Sequence, residues 1–342
     1  MKADPPRFPA GTTSLIKTYL TPDLFASLAR VKTGTGFTLE AAIRSGIENP
    51  DSSIGIYAGD SESYTCFSRV LGPIILDYHK IEPHQCHQEH MTPETLADLD
   101  PQRQYIRSTR IRVARNLKGF PFCCHIRDND RVRLENHIMN ALEHLTGDLS
   151  GTYTRFSDLS PDAYDGMVEK KLAFPKGDRF QESAGMNRDF PLGRGIFLSR
   201  DKEFRVWVNE EDHMRIMAVS PGPDLGGVFE RLCRGLDALS SHLDFAFDDR
   251  LGFLSSCPTN IGTAMRAGVH IRLEKLEHHQ DILKDLVRRH HLQIRGTGGE
   301  KTAVENATFD ISNTRRLGIS ANQIVHHLHT GLSAIITAEK SL

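Results

Sequence analysis

Apolar side chains recur at helical spacing near the start of the chain, over residues 13–31. Thr21 followed by Pro22 is typical of a helix start, because a hydroxyl can cap the first turn and proline fits its first position. Further helical patterns cover residues 39–46 and 61–79. These patterns together predict a small all-helical unit.

The pattern changes in the second half of the chain, where apolar and polar residues begin to alternate. Alternation predicts strands at residues 204–208 and in parts of 252–255 and 268–273. Helical patterns separate them, at residues 131–145, 225–243 and 277–290. A last helix is predicted after Ser320, which can cap it. Strands mixed with helices over this length predict an α+β domain with a mostly antiparallel sheet.

Between these regions the chain has prolines and histidines but no apolar period, which is typical of a linker. We therefore expect a helical domain at residues 1–82, a linker at 83–104 and a larger α+β domain at 105–342. The linker includes a histidine-rich stretch at residues 84–90, whose spacing matches no closed zinc module. Solvated histidines are the favoured interpretation.

The overall composition excludes several classes of function. The 342 residues carry a formal net charge of -2, so no global basic field draws the protein to nucleic acid or anionic lipid. No apolar run reaches membrane-spanning length and the first residues lack a secretory pattern, so a cytoplasmic protein is expected. Six cysteines are too sparse over this length for a disulfide framework.

Two arginines, Arg110 and Arg112, alternate around Ile111 and would project from one side of a strand. Neighbouring guanidinium groups repel one another unless an anion lies between them, and their planar forks match phosphate oxygens. The pattern is therefore compatible with an anion site, although for these two residues alone ordinary surface ion pairs are favoured.

Three consecutive acids, Glu210, Glu211 and Asp212, follow the strand at residues 204–208. Adjacent carboxylates repel one another, so the arrangement favours a cationic ligand nearby. A solvated strand end is the alternative. Cys257 similarly ends an apolar stretch and could be a thiolate with a lowered pKa, although burial as a small apolar residue is common for cysteine.

Four longer motifs contain these residues. They are STRIRVARNLKGFPF at 108–122, VNEEDH at 208–213, CPTNIGTAMRAGVH at 257–270 and RGTGGEKTAVENATFDISNTRRLG at 295–318. In this order they resemble the guanidino (phosphagen) kinase family, and the resemblance covers nearly the whole chain. It implies the family's two-domain α+β fold and transfer of the γ-phosphoryl group of Mg-ATP to a guanidinium nitrogen.

The resemblance also implies a nucleotide site. In the family the matching arginines surround the nucleotide phosphates; here they are Arg110, Arg112, Arg215, Arg266 and Arg295. His270 resembles the adenine-side histidine, and Asp310 lies in a nucleotide-side segment. Magnesium would be held mainly by phosphate oxygens and water, so no protein metal site is expected.

The acceptor site follows from the same resemblance. Glu211 and Glu300 would grip the guanidinium from two sides, and Cys257 would lie near the attacked nitrogen as a thiolate. The glycines before Glu300 would belong to a mobile flap. The acceptor-specificity loop would contribute Ser52, Ser53, Ile54 and Tyr57.

The loop's length, Tyr57 and Glu300 resemble those of the family's arginine kinases, and Asp51 and Arg179 match a pair that bridges their two domains. L-Arginine is therefore the expected acceptor, and a monomer is favoured. Two residues depart from the pattern: Lys171 replaces a usual histidine near the adenine, and Gly298 a usual flap arginine. Creatine, taurocyamine, lombricine or protein arginine as acceptor, and a non-catalytic nucleotide-binding relative, stay open.

Overall fold

The computed structural model describes residues 5–88, 90–296 and 306–342. Its helices are α1 Leu15–Tyr19, α2 Pro22–Leu28, α3 Leu39–Glu48, α4 Ser63–Cys66, α5 Ser68–His79, α6 Asp128–Leu142, α7 Pro161–Glu169, α8 Arg179–Ser183, α9 Leu225–Ser240, α10 Gln280–Arg289 and α11 Ala321–Ser341. Its strands are β1 Ile106–Arg115, β2 Gly151–Arg155, β3 Gly195–Ser199, β4 Phe204–Val208, β5 Met214–Pro221, β6 Phe247–Asp248, β7 Gly252–Phe253, β8 Met265–Arg272, β9 Leu292–Arg295 and β10 Thr308–Asn313.

The first five helices form the predicted helical unit. The predicted start of α2 is confirmed: the Thr21 hydroxyl accepts a hydrogen bond from the amide of Leu24, and Pro22 opens the helix. The prediction of one helix over residues 61–79 is wrong, because the chain turns at Phe67 between α4 and α5. Phe67 is fully buried, so core packing accounts for a turn that the local pattern does not reveal.

Eight strands form one sheet in the order β2-β3-β4-β5-β1-β8-β10-β9, and all of its neighbouring pairs are antiparallel. The expected α+β class with an antiparallel sheet is confirmed. Strand β1 lies in the interior of the sheet between β5 and β8, and Arg112 is directly opposite Arg266 across the β1–β8 pair. The strand predicted within residues 252–255 is just two residues long.

Two large hydrophobic cores contain most of the buried apolar side chains, and a small third cluster surrounds Phe156 and Phe174. One is formed by the sheet with α6, α9 and α11. The predicted cap of the last helix is confirmed, with a reciprocal pair of hydrogen bonds between Ser320 and Gln323. The other core belongs to the helical unit and continues into Phe122, Leu254 and Ile261 of the later chain. Apolar contact therefore joins the two parts of the molecule.

The histidine-rich stretch is only partly solvated. His87 is 8% exposed, its ring packs against Phe247 and Phe253, and its amide donates to the carbonyl of Arg250, so the expectation of solvated histidines is wrong for this residue. Within the described ranges, no three or more histidine, cysteine or acidic side chains are arranged to hold a metal ion. No helix in these same ranges is both long and apolar enough to cross a membrane.

Candidate active site

Arginines from neighbouring strands converge on one face of the sheet. Arg110 and Arg112 lie on β1, Arg266 on β8, Arg215 on β5 and Arg295 at the end of β9. Burial lowers the pKa of Arg112, and the charges of Arg215, Arg110 and Arg266 lower it further. Burial likewise lowers the pKa of Arg266 to about 10, and Arg295 and Arg110 also lower it. Such a cluster favours a bound polyanion, since neighbouring cations destabilise the guanidinium groups of Arg112 and Arg266.

A cavity of about 510 Å³ opens beside this cluster, lined in part by Arg110, Arg266, His270, Asp310 and Lys171. The Asp310 carboxylate forms an ion pair with Nη2 of Arg266 at 2.8 Å, so it also orients that guanidinium. Burial lowers the pKa of His270, which keeps its ring neutral at pH 7. Fixed cations beside a neutral ring suit a ligand that has both phosphates and a base.

The acidic segment after β4 makes a tight turn. Asn209 has the left-handed φ of 57°, and its amide donates to the carbonyl of His213 at 2.9 Å. Nη2 of Arg215 lies 2.9 Å from Glu210 and 3.6 Å from Glu211, so this arginine bridges the cationic cluster and the acids. Burial raises the pKa of Glu211 to about 8, and the adjacent carboxylates raise it as well.

Asp212 fastens the acidic turn to the segment that carries Cys257. Its Oδ1 accepts hydrogen bonds from Nδ2 of Asn116 at 2.6 Å and from the amide of Ser256 at 2.7 Å. The Nδ2 of Asn260 lies 3.5 Å from Glu211 Oε2 and makes a second link. Glu211 and Cys257 are thereby held in one substructure.

The Cys257 side chain is buried, with its Sγ 3.1 Å from the hydroxyl of Thr259. Burial raises the pKa of Cys257 to about 12, and the Glu211 carboxylate also raises it, while the Thr259 hydrogen bond lowers it. The expectation of a lowered pKa, drawn from the sequence, is wrong for the protein on its own. A thiolate here requires an additional cation beside the sulfur.

The predicted acceptor loop packs against the helical unit. The amides of Leu15 and Ile16 donate to the carbonyls of Ser53 and Ile54, and the Ile54 side chain is buried in the core. The Ser52 hydroxyl accepts from the amide of Gly55 at 3.1 Å. The loop's conformation is therefore fixed by its own contacts.

Tyr57 connects this loop with Glu211 and Cys257, which are called the acid–thiol pair below. Burial raises its pKa, and the nearby charges of Cys257 and Glu211 add to that effect. On the outer side, Arg179 of α8 forms an ion pair with Asp51 and donates to the side-chain oxygen of Asn49 at 3.1 Å. The loop is thus tied to the later chain at both ends.

Two predicted site residues cannot be placed, and one residue of the site was not predicted. Glu300 and Gly298 lie outside the described residues. Arg316 was missed by sequence reasoning, although its Nη1 donates to the carbonyl of Thr259 at 3.2 Å, beside Cys257. Nothing in the sequence distinguishes it from the adjacent Arg315, which is exposed.

Comparisons with known proteins match both parts of the chain. Residues 11–76 match the model of the ATP:guanido phosphotransferase N-terminal domain, and residues 133–342 match its C-terminal catalytic domain. An arginine kinase of Limulus polyphemus is 43% identical over 331 residues, which is 96% of this chain and 93% of that protein. An arginine kinase of Anthopleura japonica is 44% identical over 96% of this chain, which spans 47% of that protein's length.

Solved structures show the same similarity. A lombricine kinase superposes with a TM-score of 0.92 at 33% identity, covering 97% of this chain and 93% of its own. A duplicated taurocyamine kinase of Schistosoma mansoni superposes with a TM-score of 0.90 at 36% identity, covering 96% of this chain and 46% of its own.

Proposed function

This chain belongs to the ATP:guanido phosphotransferase family, and on that premise we propose that it is an arginine kinase. It would transfer the γ-phosphoryl group of Mg-ATP to a guanidinium nitrogen of L-arginine, giving phosphoarginine and ADP, and catalyse the reverse reaction. The observation that carries the proposal is the convergence of half-buried and buried arginines beside the half-buried Glu211 and the buried Cys257, bridged by Arg215.

On the nucleotide side, the arginine cluster would hold the phosphates. Charge in phosphoryl transfer is spread over the equatorial oxygens, so fixed cations that need no reorganisation stabilise it well. Arg110, Arg112, Arg215, Arg266 and Arg295 would provide them, with His270 and Asp310 at the nucleoside end. Magnesium, held mainly by phosphates and water, would neutralise further charge.

On the acceptor side, the buried groups would pair with the incoming guanidinium. That cation would offset the burial that raises the pKa of Glu211 and of Cys257, and so favour a carboxylate and a thiolate at their places. Glu211 and Cys257 would then align the attacked nitrogen, and alignment of two substrates can remove a large part of the barrier. Direct transfer needs no phosphoryl group on the protein.

L-Arginine is preferred over other guanidines for two reasons. The relatives named arginine kinase are 43% and 44% identical to this chain, while the lombricine and taurocyamine kinases are 33% and 36% identical. The loop of Ser52, Ser53, Ile54 and Tyr57 also resembles that of arginine kinases, and its Tyr57 interacts electrostatically with Cys257 and Glu211.

A coupled assay of ADP formation tests the proposal. Purified protein with Mg-ATP receives L-arginine, creatine, taurocyamine, lombricine or an arginine-rich protein in parallel. The expected result is turnover with L-arginine well above the others. Turnover with the protein substrate alone, or with none of the five, would reject the proposal.

The variant Cys257→Ala separates the thiol from the nucleotide site. It should lose most of the turnover while its nucleotide affinity, measured by calorimetric titration, stays unchanged. Full activity in this variant would show that the Cys257 sulfur is not needed for turnover.

A further inference from the structure

The turn that follows Cys257 is fastened by two basic side chains from distant parts of the chain. It is a short 3-10 turn, Pro258–Asn260. Nε2 of His79, the last residue of α5, lies 2.9 Å from the carbonyl oxygen of Pro258. Nη1 of Arg316, which follows β10, donates to the next carbonyl, that of Thr259, at 3.2 Å.

The backbone of Arg316 supports the same loop. Its carbonyl accepts hydrogen bonds from the amide of Thr263 at 2.9 Å and from the Thr263 hydroxyl at 3.1 Å. A methyl group built on Gly262 would lie 2.2 Å from that carbonyl oxygen, so the two segments are in close backbone contact. The loop after Cys257 therefore cannot shift without Arg316.

Arg316 also interacts electrostatically with Cys257 and Glu211. Burial lowers its pKa, and the titratable groups that act on it include Tyr78, Arg295, Cys257 and Glu211. Arg316 is half-buried, and a cation near a thiol and a carboxylate favours their ionised forms. Arg316 thus adds positive charge near the acid–thiol pair, and the substrate cation that a Cys257 thiolate requires would come in addition to it.

We propose that Arg316 is a positioning residue of the acceptor site, which holds the turn after Cys257 and favours the thiolate there. It acts through Thr259, whose carbonyl it binds and whose hydroxyl lies 3.1 Å from the Cys257 sulfur. His79, which belongs to the helical unit, contacts the preceding carbonyl, that of Pro258. The inference builds on the proposed function, because it names a further residue for that reaction.

The test compares Arg316→Met and Arg316→Lys with Arg315→Met. Arg315 is the matched control, since it is adjacent, of the same type and exposed. One readout is kcat with Mg-ATP and L-arginine. The other is the rate at which iodoacetamide modifies Cys257 at pH 8, followed by mass spectrometry of its peptide.

In Arg316→Met, kcat should fall by about tenfold to a hundredfold, because the attacking group loses its alignment. Modification of Cys257 should slow by about tenfold, because less thiolate is present. Arg316→Lys keeps a positive charge and should recover part of both rates. Nucleotide affinity should match that of the Arg315→Met control.

Several results would overturn the proposal. One is that Arg316→Met matches Arg315→Met in both rates; another is that Arg316→Lys is no better than Arg316→Met. If Arg316→Met does not fold, Arg316→Gln takes its place. It keeps a donor for the Thr259 carbonyl but loses the charge, so modification of Cys257 should still slow while kcat falls less than in a variant without the donor. If the wild type turns over no guanidine, the proposed function fails, and Cys257 modification still decides the role of Arg316.

Discussion

Glu211 combines burial with two acidic neighbours, and this has a cost in the free protein. Its pKa of about 8 lies above the ordinary value of 4.5, so folding favours the protonated form. A group of this kind stabilises the fold fully below its unfolded pKa, and the contribution is lost as the pH rises through the folded value. Ionised Glu211 therefore lowers the stability of the free protein at alkaline pH, but it provides a carboxylate that a cation can bind.

The variant Glu211→Gln should reveal that cost. The amide that replaces the carboxyl group is neutral at every pH, so the variant's melting temperature relative to wild type should rise by several degrees between about pH 5 and pH 9 and then level off. Turnover should fall by about a hundredfold or more. Thermal melts across this pH range check the first expectation; Glu82→Gln, an exposed change, is the control. A constant difference at all pH values would contradict it.

For single residues, the sequence predicted which side chains belong to the site better than it predicted their hydrogen-bond partners. Glu210, Glu211 and Asp212 look equivalent in the sequence, yet the structure turns Asp212 toward Asn116 and Ser256. Asn116 is 96 positions away, so no local pattern could reveal this pairing. Arg316 was missed for the same reason, since its partner Thr259 is 57 positions away.

At the scale of elements, the acceptor loop lies directly on helix α3. A Cβ atom added to Gly46 would be 2.2 Å from the carbonyl oxygen of Gly55 and 2.5 Å from its Cα. Both contacts are with backbone, which cannot rotate away as a long side chain could. The absence of a side chain at this position thus determines where the loop sits.

The variant Gly46→Ala should lower the free energy of unfolding by about 1–3 kcal/mol, because it overpacks this contact. It should also raise the KM for L-arginine more than the KM for ATP. Gly166→Ala in α7 is the control, since a Cβ there meets nothing within 4 Å, and it should be neutral or stabilising by about 0.5–1 kcal/mol. Denaturant titrations and initial rates give the comparison; equal effects of the two changes would refute it.

Elements with a strong local signal were predicted well. The long helices α9 and α11 and the strands β4 and β8 have clear apolar periods. The turn at Phe67 and the two-residue strand β7 depend on core packing and on distant partners, and the sequence pattern contains neither.

At the scale of the whole molecule, the two parts share apolar packing. The core of the helical unit includes Phe122, Cys257 and Ile261 from the later chain, and Tyr64 donates to the carbonyl of Ser255 at 2.7 Å. Residues of the acceptor site thus belong to the core that joins the parts. Unfolding one part exposes apolar surface on the other.

Calorimetry should accordingly show a single unfolding transition, with calorimetric and van't Hoff enthalpies that agree. Ile261→Ala removes a fully buried side chain at the junction and should move the whole transition to lower temperature, with a loss of about 2–5 kcal/mol. Two separate transitions, or a shift of one part alone, would show that the parts unfold independently.

The position of Arg112 opposite Arg266 in the interior of the sheet has a practical consequence. Two like charges in one row of side chains attract any small oxyanion in the medium, including inorganic phosphate from a storage buffer or sulfate from a precipitation step. Such ions raise the melting temperature by mass action and compete with the nucleotide. Preparations of this protein are comparable only when their counterions are the same.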